Sequence, residues 1–195
     1  MKKIILILLI SFLLPLSIFA APFGLKMGMT LDEITEACNG SKPIYVENDC
    51  YQIYPAKTHP LFKQYAVFVD SEHGLYCIKA VSDEISTNDY GTEIKNAFAE
   101  IEGRISKTYG KPRIIDELSS DYFAKSEQYW VSQLADGART YAAIWESSSK
   151  NKLNDDLDCV YIYTNAQRLP RLGWIILEYD FNNMQSVKDA QDDVF

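Results

Sequence analysis

The sequence predicts an α+β protein in which helices pack on a mainly antiparallel sheet of about six strands. Two observations support this prediction. Segments rich in β-branched and aromatic residues, which favour strands, occur in two clusters of three. A long helical pattern and a shorter one separate the two clusters, so strands and helices do not alternate singly as they do in a parallel βαβ sheet.

The first predicted helix begins after Thr30. Thr30 and Glu33 form a capping box, in which the threonine hydroxyl accepts a hydrogen bond from the Glu33 backbone N–H and the glutamate side chain reaches back. Gly40 ends this helix, since glycine is common just beyond a helix end. Three strands are expected to follow, at residues 44–54, 64–71 and 75–82.

Residues 89–109 are the clearest helix in the sequence. Apolar side chains recur there at spacings of three and four residues and form a single stripe, made of Ile94, Phe98, Ile101, Ile105 and Tyr109. Gly110 ends the helix and Pro112 prevents its continuation. We expect Phe98 and Ile101 to be deeply buried against the sheet.

The rest of the chain continues with a shorter helix and a second set of strands. The helix is expected at about residues 125–135, and the strands at residues 139–146, 157–165 and 173–181. From Asn182 onward the sequence is polar and acidic, which is typical of a fraying helix or a tail.

A short pattern recurs after the first helix and after the long one. Each copy has a glycine, a Lys-Pro pair and an isoleucine, at residues 40–44 and 110–114. The pattern indicates two helix-plus-meander units, with halves at 21–88 and 89–195 of a single α+β domain that spans 21–195. It is also the ordinary sequence of a helix that stops, so both interpretations stay open at this point.

The composition is that of a globular protein with an acidic surface. Of the 195 residues, 47% are hydrophobic, and 27 acidic against 19 basic side chains give a net charge of −8. Proteins that bind nucleic acid or anionic lipid need clustered Lys and Arg. We therefore predict no nucleic-acid partner and no adhesion to anionic membranes.

Residues 1–20 have the three parts of a secretory signal peptide. Lys2 and Lys3 form a positive start, residues 4–14 are almost entirely apolar, and small residues end the segment. We expect cleavage after Ala20, which gives a periplasmic or secreted protein with no stable membrane anchor. An uncleaved anchor is the alternative, but the apolar run is short for a membrane span.

Four cysteines follow the expected cleavage site. An even number in an exported chain indicates two disulfides. We predict the pair Cys38–Cys50, whose members are close in sequence and separated by a turn, and this leaves the pair Cys77–Cys159. Free buried cysteines are the alternative.

The sequence contains no recognisable catalytic, metal-binding or cofactor motif. It has no Gly-x-Ser-x-Gly elbow, no His-Glu-x-x-His helix and no Gly-x-x-x-x-Gly-Lys phosphate loop. Acidic residues cluster at 154–158, but a cysteine stands where a calcium loop needs glycine. We predict no catalytic residue, no metal and no cofactor. Two pairs of acids, Asp116 with Glu117 and Glu178 with Asp180, need a structure before a hydrolytic role can be judged.

Thirteen tyrosines are the most distinctive feature of the composition, and several fall on predicted strands. Alternation along a strand places part of such a set on one sheet face, where tyrosine supplies rigid contact area for protein binding. Strands also favour tyrosine without any binding role. Our candidate binding residues are three strand tyrosines and two residues of the proline-bracketed loop 55–62, namely Tyr45, Tyr161, Tyr163, His59 and Phe62.

The segment GLKMGMTLDEI at residues 24–34, followed by a helix, Gly40 and Pro43, resembles the start of the β-lactamase-inhibitor-protein-like superfamily. That superfamily includes small outer-membrane assembly lipoproteins. The resemblance covers residues 24–43 and implies an exported Gram-negative bacterial protein whose units combine helices with an antiparallel meander. No cysteine for lipidation lies near the cleavage site, and no functional residue of the superfamily maps onto this chain.

Three functions fit these observations. The first is a soluble periplasmic protein-interaction module that binds an unknown partner through a Tyr-rich sheet face or the loop 55–62. The second is a periplasmic hydrolase that uses acidic residues, and the third is a small-molecule carrier with an aromatic pocket. An aromatic face favours the interaction module, two carboxylates facing each other across a cleft favour the hydrolase, and a closed apolar cavity favours the carrier. We expect the interaction module rather than an enzyme.

Overall fold

The computed structural model describes residues 21–149 and 152–192. The predicted signal peptide, residues 1–20, lies outside the described residues. Within the described residues, the four α-helices are α1 (Leu31–Ala37), α2 (Thr92–Tyr109), α3 (Trp130–Ala135) and α4 (Met184–Asp192). The same part of the chain contains nine strands, β1 (Ile44–Glu47), β2 (Cys50–Ile53), β3 (Phe62–Asp70), β4 (Gly74–Ser82), β5 (Ile85–Ser86), β6 (Arg113–Leu118), β7 (Arg139–Glu146), β8 (Leu157–Gln167) and β9 (Leu172–Phe181).

All nine strands form one antiparallel sheet with the order β1-β2-β3-β4-β9-β8-β7-β6, and β5 pairs with β9. The predicted α+β class is confirmed, although the sheet has more strands than the six expected. Its path consists of two four-stranded meanders, β1 to β4 and β6 to β9, which join through β4 and β9. Helix α1 precedes the first meander and α2 precedes the second, which is the helix-plus-meander arrangement that the repeated sequence pattern indicates.

The extra strands lie in segments whose sequence patterns do not distinguish them as separate strands. Residues 44–54 form a hairpin rather than one strand, because Asn48 and Asp49 both adopt positive φ angles, 42° and 60°, and reverse the chain. Asn and Asp tolerate this left-handed conformation better than other residues with side chains. Strand β6 lies at the sheet edge with mostly exposed side chains, so it lacks a buried alternation that would reveal it.

The core lies between one face of the sheet and the helices α1, α2 and α3. Phe98 and Ile101 of α2 are 2% and 3% exposed, which confirms that the predicted apolar stripe faces the sheet. Ile34 of α1 belongs to the same core, and Trp130 of α3 packs its ring against Tyr141 of β7. The opposite face of the sheet is therefore left without these three helices.

The predicted disulfides are wrong, since all four cysteines are free thiols. In the strand register, Cys77 of β4 and Cys159 of β8 both lie opposite Asp180 of β9, one on each side of that strand. Adjacent strands lie about 4.8 Å apart, so two strand spacings separate these Cα atoms by about 9–10 Å. A disulfide needs about 4.4–6.8 Å between Cα atoms.

The pair Cys38–Cys50 fails for a different reason. Cys38 ends α1 within the helix-side core, and its sulfur lies against the backbone of Tyr54. Cys50 is four residues before Tyr54 on an extended segment, which places it about 13 Å away along the strand. In addition, Cys50 is opposite Phe68, whose neighbours Val67 and Val69 are buried in the helix-side core, so Cys50 and Cys38 lie on opposite faces of the sheet.

Candidate functional site

The sheet face opposite α1, α2 and α3 is the candidate functional site, and we call it the open face. Along β8, Val160 and Ile162 are buried against the helices, whereas Tyr161 and Tyr163 alternate with them and remain half-buried on the open face. The pairing of neighbouring strands shows which residues of β3, β4 and β9 lie on this same face. Its central residues are Phe68, Lys79, Ile176, Glu178, Tyr161 and Tyr163.

Tyr161 and Tyr163 form a stacked pair at the centre of the open face. Their ring centroids are 4.8 Å apart and the ring planes differ by 25°. Burial raises the pKa of Tyr163, and the negative charge of Glu178 raises it further. Both phenols are therefore neutral at physiological pH and present O–H groups beside a rigid apolar surface.

An ion pair lies beside the tyrosines. Lys79 Nζ is 3.1 Å from Glu178 Oε2, and the two residues face each other directly across β4 and β9. Burial acts against the charge on Lys79, but Glu178 outweighs it and raises the lysine pKa. Lys79 also lies 5.2 Å from the centroid of the Phe68 ring, which is a cation–π distance.

His59 and Phe62 lie elsewhere, in a groove on the helix side of the sheet. The groove has a volume of about 260 Å³ and is bounded by Phe23 and the α2 residues Ile101 and Arg104. His59 is engaged in its own loop, because its Nδ1 accepts a hydrogen bond from the Leu61 N–H at 3.2 Å. Burial lowers the pKa of His59, so the ring stays neutral at pH 7.

Tyr45 lies apart from both of these places. It is on the edge strand β1, 64% exposed, and its ring makes an edge contact with Tyr51. Tyr51 faces Val67 of the helix-side core in the strand register, so Tyr45 is on the helix side of the sheet. Of the five candidate residues, the structure therefore places only Tyr161 and Tyr163 together on the open face.

The acids Glu178 and Asp180 are also on the open face, two residues apart on β9. Burial raises the pKa of Asp180 to about 6, and Glu178 adds to the effect. A raised carboxyl pKa is a feature of general acids. However, both carboxylates project from one strand in the same direction, whereas glycoside hydrolysis places its two carboxylates on either side of the scissile bond.

Sequence reasoning missed Phe68 and Lys79 as members of this surface. Lys79 meets Glu178 only through the pairing of β4 with β9, and no local pattern signals that pairing. A spacing of two along a predicted strand is the signal in the sequence that does place residues together on the face, as for Tyr161 with Tyr163 and for Glu178 with Asp180.

No protein family, curated protein or solved structure matches the chain. Within residues 21–149 and 152–192, no helix has both the length and the apolarity required to cross a bilayer.

Proposed function

We propose that this protein binds another protein through the open face of its sheet. The observation that carries the proposal is the stacked pair Tyr161–Tyr163 beside the ion pair Lys79–Glu178, on a face that α1, α2 and α3 leave uncovered. Although lysine and glutamate are depleted at the centre of protein interfaces, tyrosine side chains are enriched there and carry much of the binding energy. Their half-buried positions keep the rings rigid, so binding costs little conformational entropy.

The geometry favours an interaction module over the two other functions. Glu178 and Asp180 do not face each other across a cleft, which weakens the hydrolase hypothesis. The aromatic groove beside His59 and Phe62 holds about 260 Å³, below the range of about 300–1,000 Å³ usual for small-molecule sites. A larger cavity of about 520 Å³ beside Asp70 and His73 is lined mostly by polar residues, with Tyr51 as its one aromatic residue, so it is not the aromatic pocket of the carrier hypothesis. Variants of the His59–Phe62 groove therefore separate the carrier from the interaction module.

We further propose that the protein acts in the periplasm or after secretion. The signal-peptide pattern of residues 1–20 supports this location. The resemblance to the β-lactamase-inhibitor-protein-like superfamily remains part of the proposal. It is supported by the order of helix and meander, which occurs twice in the chain.

Co-purification from a periplasmic extract tests the proposed function. Tyr161→Ser with Tyr163→Ser should weaken binding of specific partners at least about 30-fold and reduce their recovery accordingly, since loss of central aromatic residues costs about 2 kcal/mol or more. Tyr90→Ser with Tyr129→Ser is the control, because these two tyrosines are accessible, 53% and 41% exposed, and lie outside the strands that form the open face.

Equal partner recovery by both double variants would contradict the proposal. If His59→Ala with Phe62→Ala removes the partners instead, the helix-side groove is the binding site. Circular dichroism of each variant confirms that the comparison is made between folded proteins.

A further inference from the structure

A mixed cluster of a thiol and two carboxylates lies on the open face, next to the Lys79–Glu178 ion pair. One ligand atom from each of Cys77, Glu178 and Asp180 lies within 4.8 Å of the other two. Cys77 on β4 is directly opposite Asp180 on β9, and Glu178 precedes Asp180 by two residues on the same face. The central pairing of the sheet therefore fixes the positions of all three groups, with no contribution from a loop.

The carboxylate of Asp180 is incompletely satisfied. Its Oδ1 atom is buried and has no hydrogen-bond partner among the described residues. The Cys77 thiol, 2% exposed, is adjacent and contacts the same carboxyl group. A buried carboxylate oxygen without a partner is unfavourable, and a cation bound at this position would satisfy it.

Glu178 is already oriented toward the cluster. Its Oε2 is held by Lys79 at 3.1 Å, while its Oε1 lies 3.9 Å from Cys77 Sγ. Lys79 thus fixes the carboxylate from one side and leaves the other oxygen directed at the thiol. Outer groups that orient a ligand in this way are common around metal ions in proteins.

A second thiol flanks the cluster. Cys159 on β8 is opposite Asp180 from the other side of β9, so the two cysteines and the aspartate form a row on the open face. The cationic groups near this row are Lys79, which binds Glu178, and Lys188 of α4, which interacts electrostatically with Asp180. Neither lysine forms a hydrogen bond with the Oδ1 atom of Asp180.

We propose that Cys77, Glu178 and Asp180 bind a single thiophilic divalent cation of the zinc class, with Cys159, across β9 from Cys77, as a further donor. Sulfur ligands favour zinc-like ions over calcium and magnesium, and zinc also accepts carboxylate oxygens. The metal replaces the proton of the Cys77 thiol, which is released to solvent. This inference goes beyond the proposed protein-binding function, because it concerns a different ligand; Glu178 belongs to both sites, whereas Cys77 and Asp180 belong only to the metal site.

Titration of the metal-free protein with Co²⁺, followed by displacement with Zn²⁺, tests the site. We expect one equivalent of Co²⁺ to bind and to produce the thiolate-to-cobalt charge-transfer absorption, which Zn²⁺ then removes. Cys77→Ser should abolish this absorption, and Asp180→Asn should weaken binding at least about 10-fold. Cys50→Ser is the matched control, since Cys50 is a half-buried thiol on the same face but outside the cluster.

Alkylation with and without Zn²⁺ provides a second measurement that needs no variant. Because Cys77 is buried, labelling is continued until this thiol is modified in the metal-free protein. Mass spectrometry at that time should show that Zn²⁺ protects Cys77 and leaves the labelling of Cys50 unchanged. The proposal is overturned if folded wild-type protein binds no stoichiometric Co²⁺, if the bound Co²⁺ lacks the thiolate band, or if Zn²⁺ protects both cysteines equally. Partner recovery by the tyrosine variants is a separate readout, so the two proposals can fail independently.

Discussion

Substitution of Phe98 by alanine should remove about 3–5 kcal/mol from the free energy of unfolding. Phe98 is 2% exposed at the centre of the α2 stripe, and its ring centroid lies 4.5 Å from that of Tyr141. Aromatic pairs of this kind add about 0.5–1.5 kcal/mol to the effect of burial. The buried neighbours Ile94 and Ile101 hold α2 in place, so the cavity closes only in part and we expect the upper half of the range.

Urea denaturation followed by circular dichroism measures this loss. Phe98→Leu keeps most of the side-chain volume and loses mainly the ring pair, so it should cost clearly less, about 1–2 kcal/mol. Phe123→Ala is the control, because Phe123 is 88% exposed and its removal should change stability by less than about 0.5 kcal/mol. A cost below about 1 kcal/mol for Phe98→Ala would show that the stripe does not face a core.

Three further predictions concern packing, the thiols and pH. A Cβ atom on Gly173 would overlap the Ile94 side chain of α2, so Gly173→Ala should destabilise the protein by about 1–3 kcal/mol in the same denaturation assay. Gly103 lies within α2 with open space around it, so Gly103→Ala should stabilise the protein by about 0.5–1 kcal/mol. Non-reducing peptide mapping should find all four thiols free, and any disulfide-linked peptide would contradict the structure. The hydrogen bond from the His73 backbone N–H lowers the pKa of Asp70 below 3.8, so the charged carboxylate stabilises the fold above that pH and loses this effect in acid. The loss of unfolding free energy caused by Asp70→Ala should therefore be smaller near pH 3 than at pH 7. An equal cost at both values would argue against that hydrogen bond.

Local sequence patterns predicted the elements whose cause is local. The long helix was recognisable because its apolar stripe persists over many residues, and α2 occupies Thr92–Tyr109 within the predicted 89–109. The capping box at Thr30 is present, with Thr30 N donating to Glu33 Oε2 at 2.8 Å and Glu33 N donating to Thr30 Oγ1 at 3.3 Å. Most central strands were recognisable because buried and half-buried residues alternate along them.

The cysteine pairing and the composition of the open face were not accessible in this way. The disulfide prediction used compartment and sequence spacing, but strand order decides which side chains meet. Insertion of β9 between β4 and β8 separates Cys77 from Cys159 and places Asp180 between them. The same long-range pairing creates the ion pair of Lys79 with Glu178, which no sequence periodicity encodes.

The junction of the two meanders also has a consequence for the kinetics of folding. Every other strand pairing on the main path of the sheet joins neighbours in sequence, whereas β4 and β9 bring together residues such as Cys77 and Glu178, 101 positions apart. The entropy cost of closing a long loop is therefore concentrated at this one junction. Each meander can assemble turn by turn before β4 meets β9. Substitutions at that junction should then slow folding, while substitutions in the edge strands β1 and β6 should mainly accelerate unfolding.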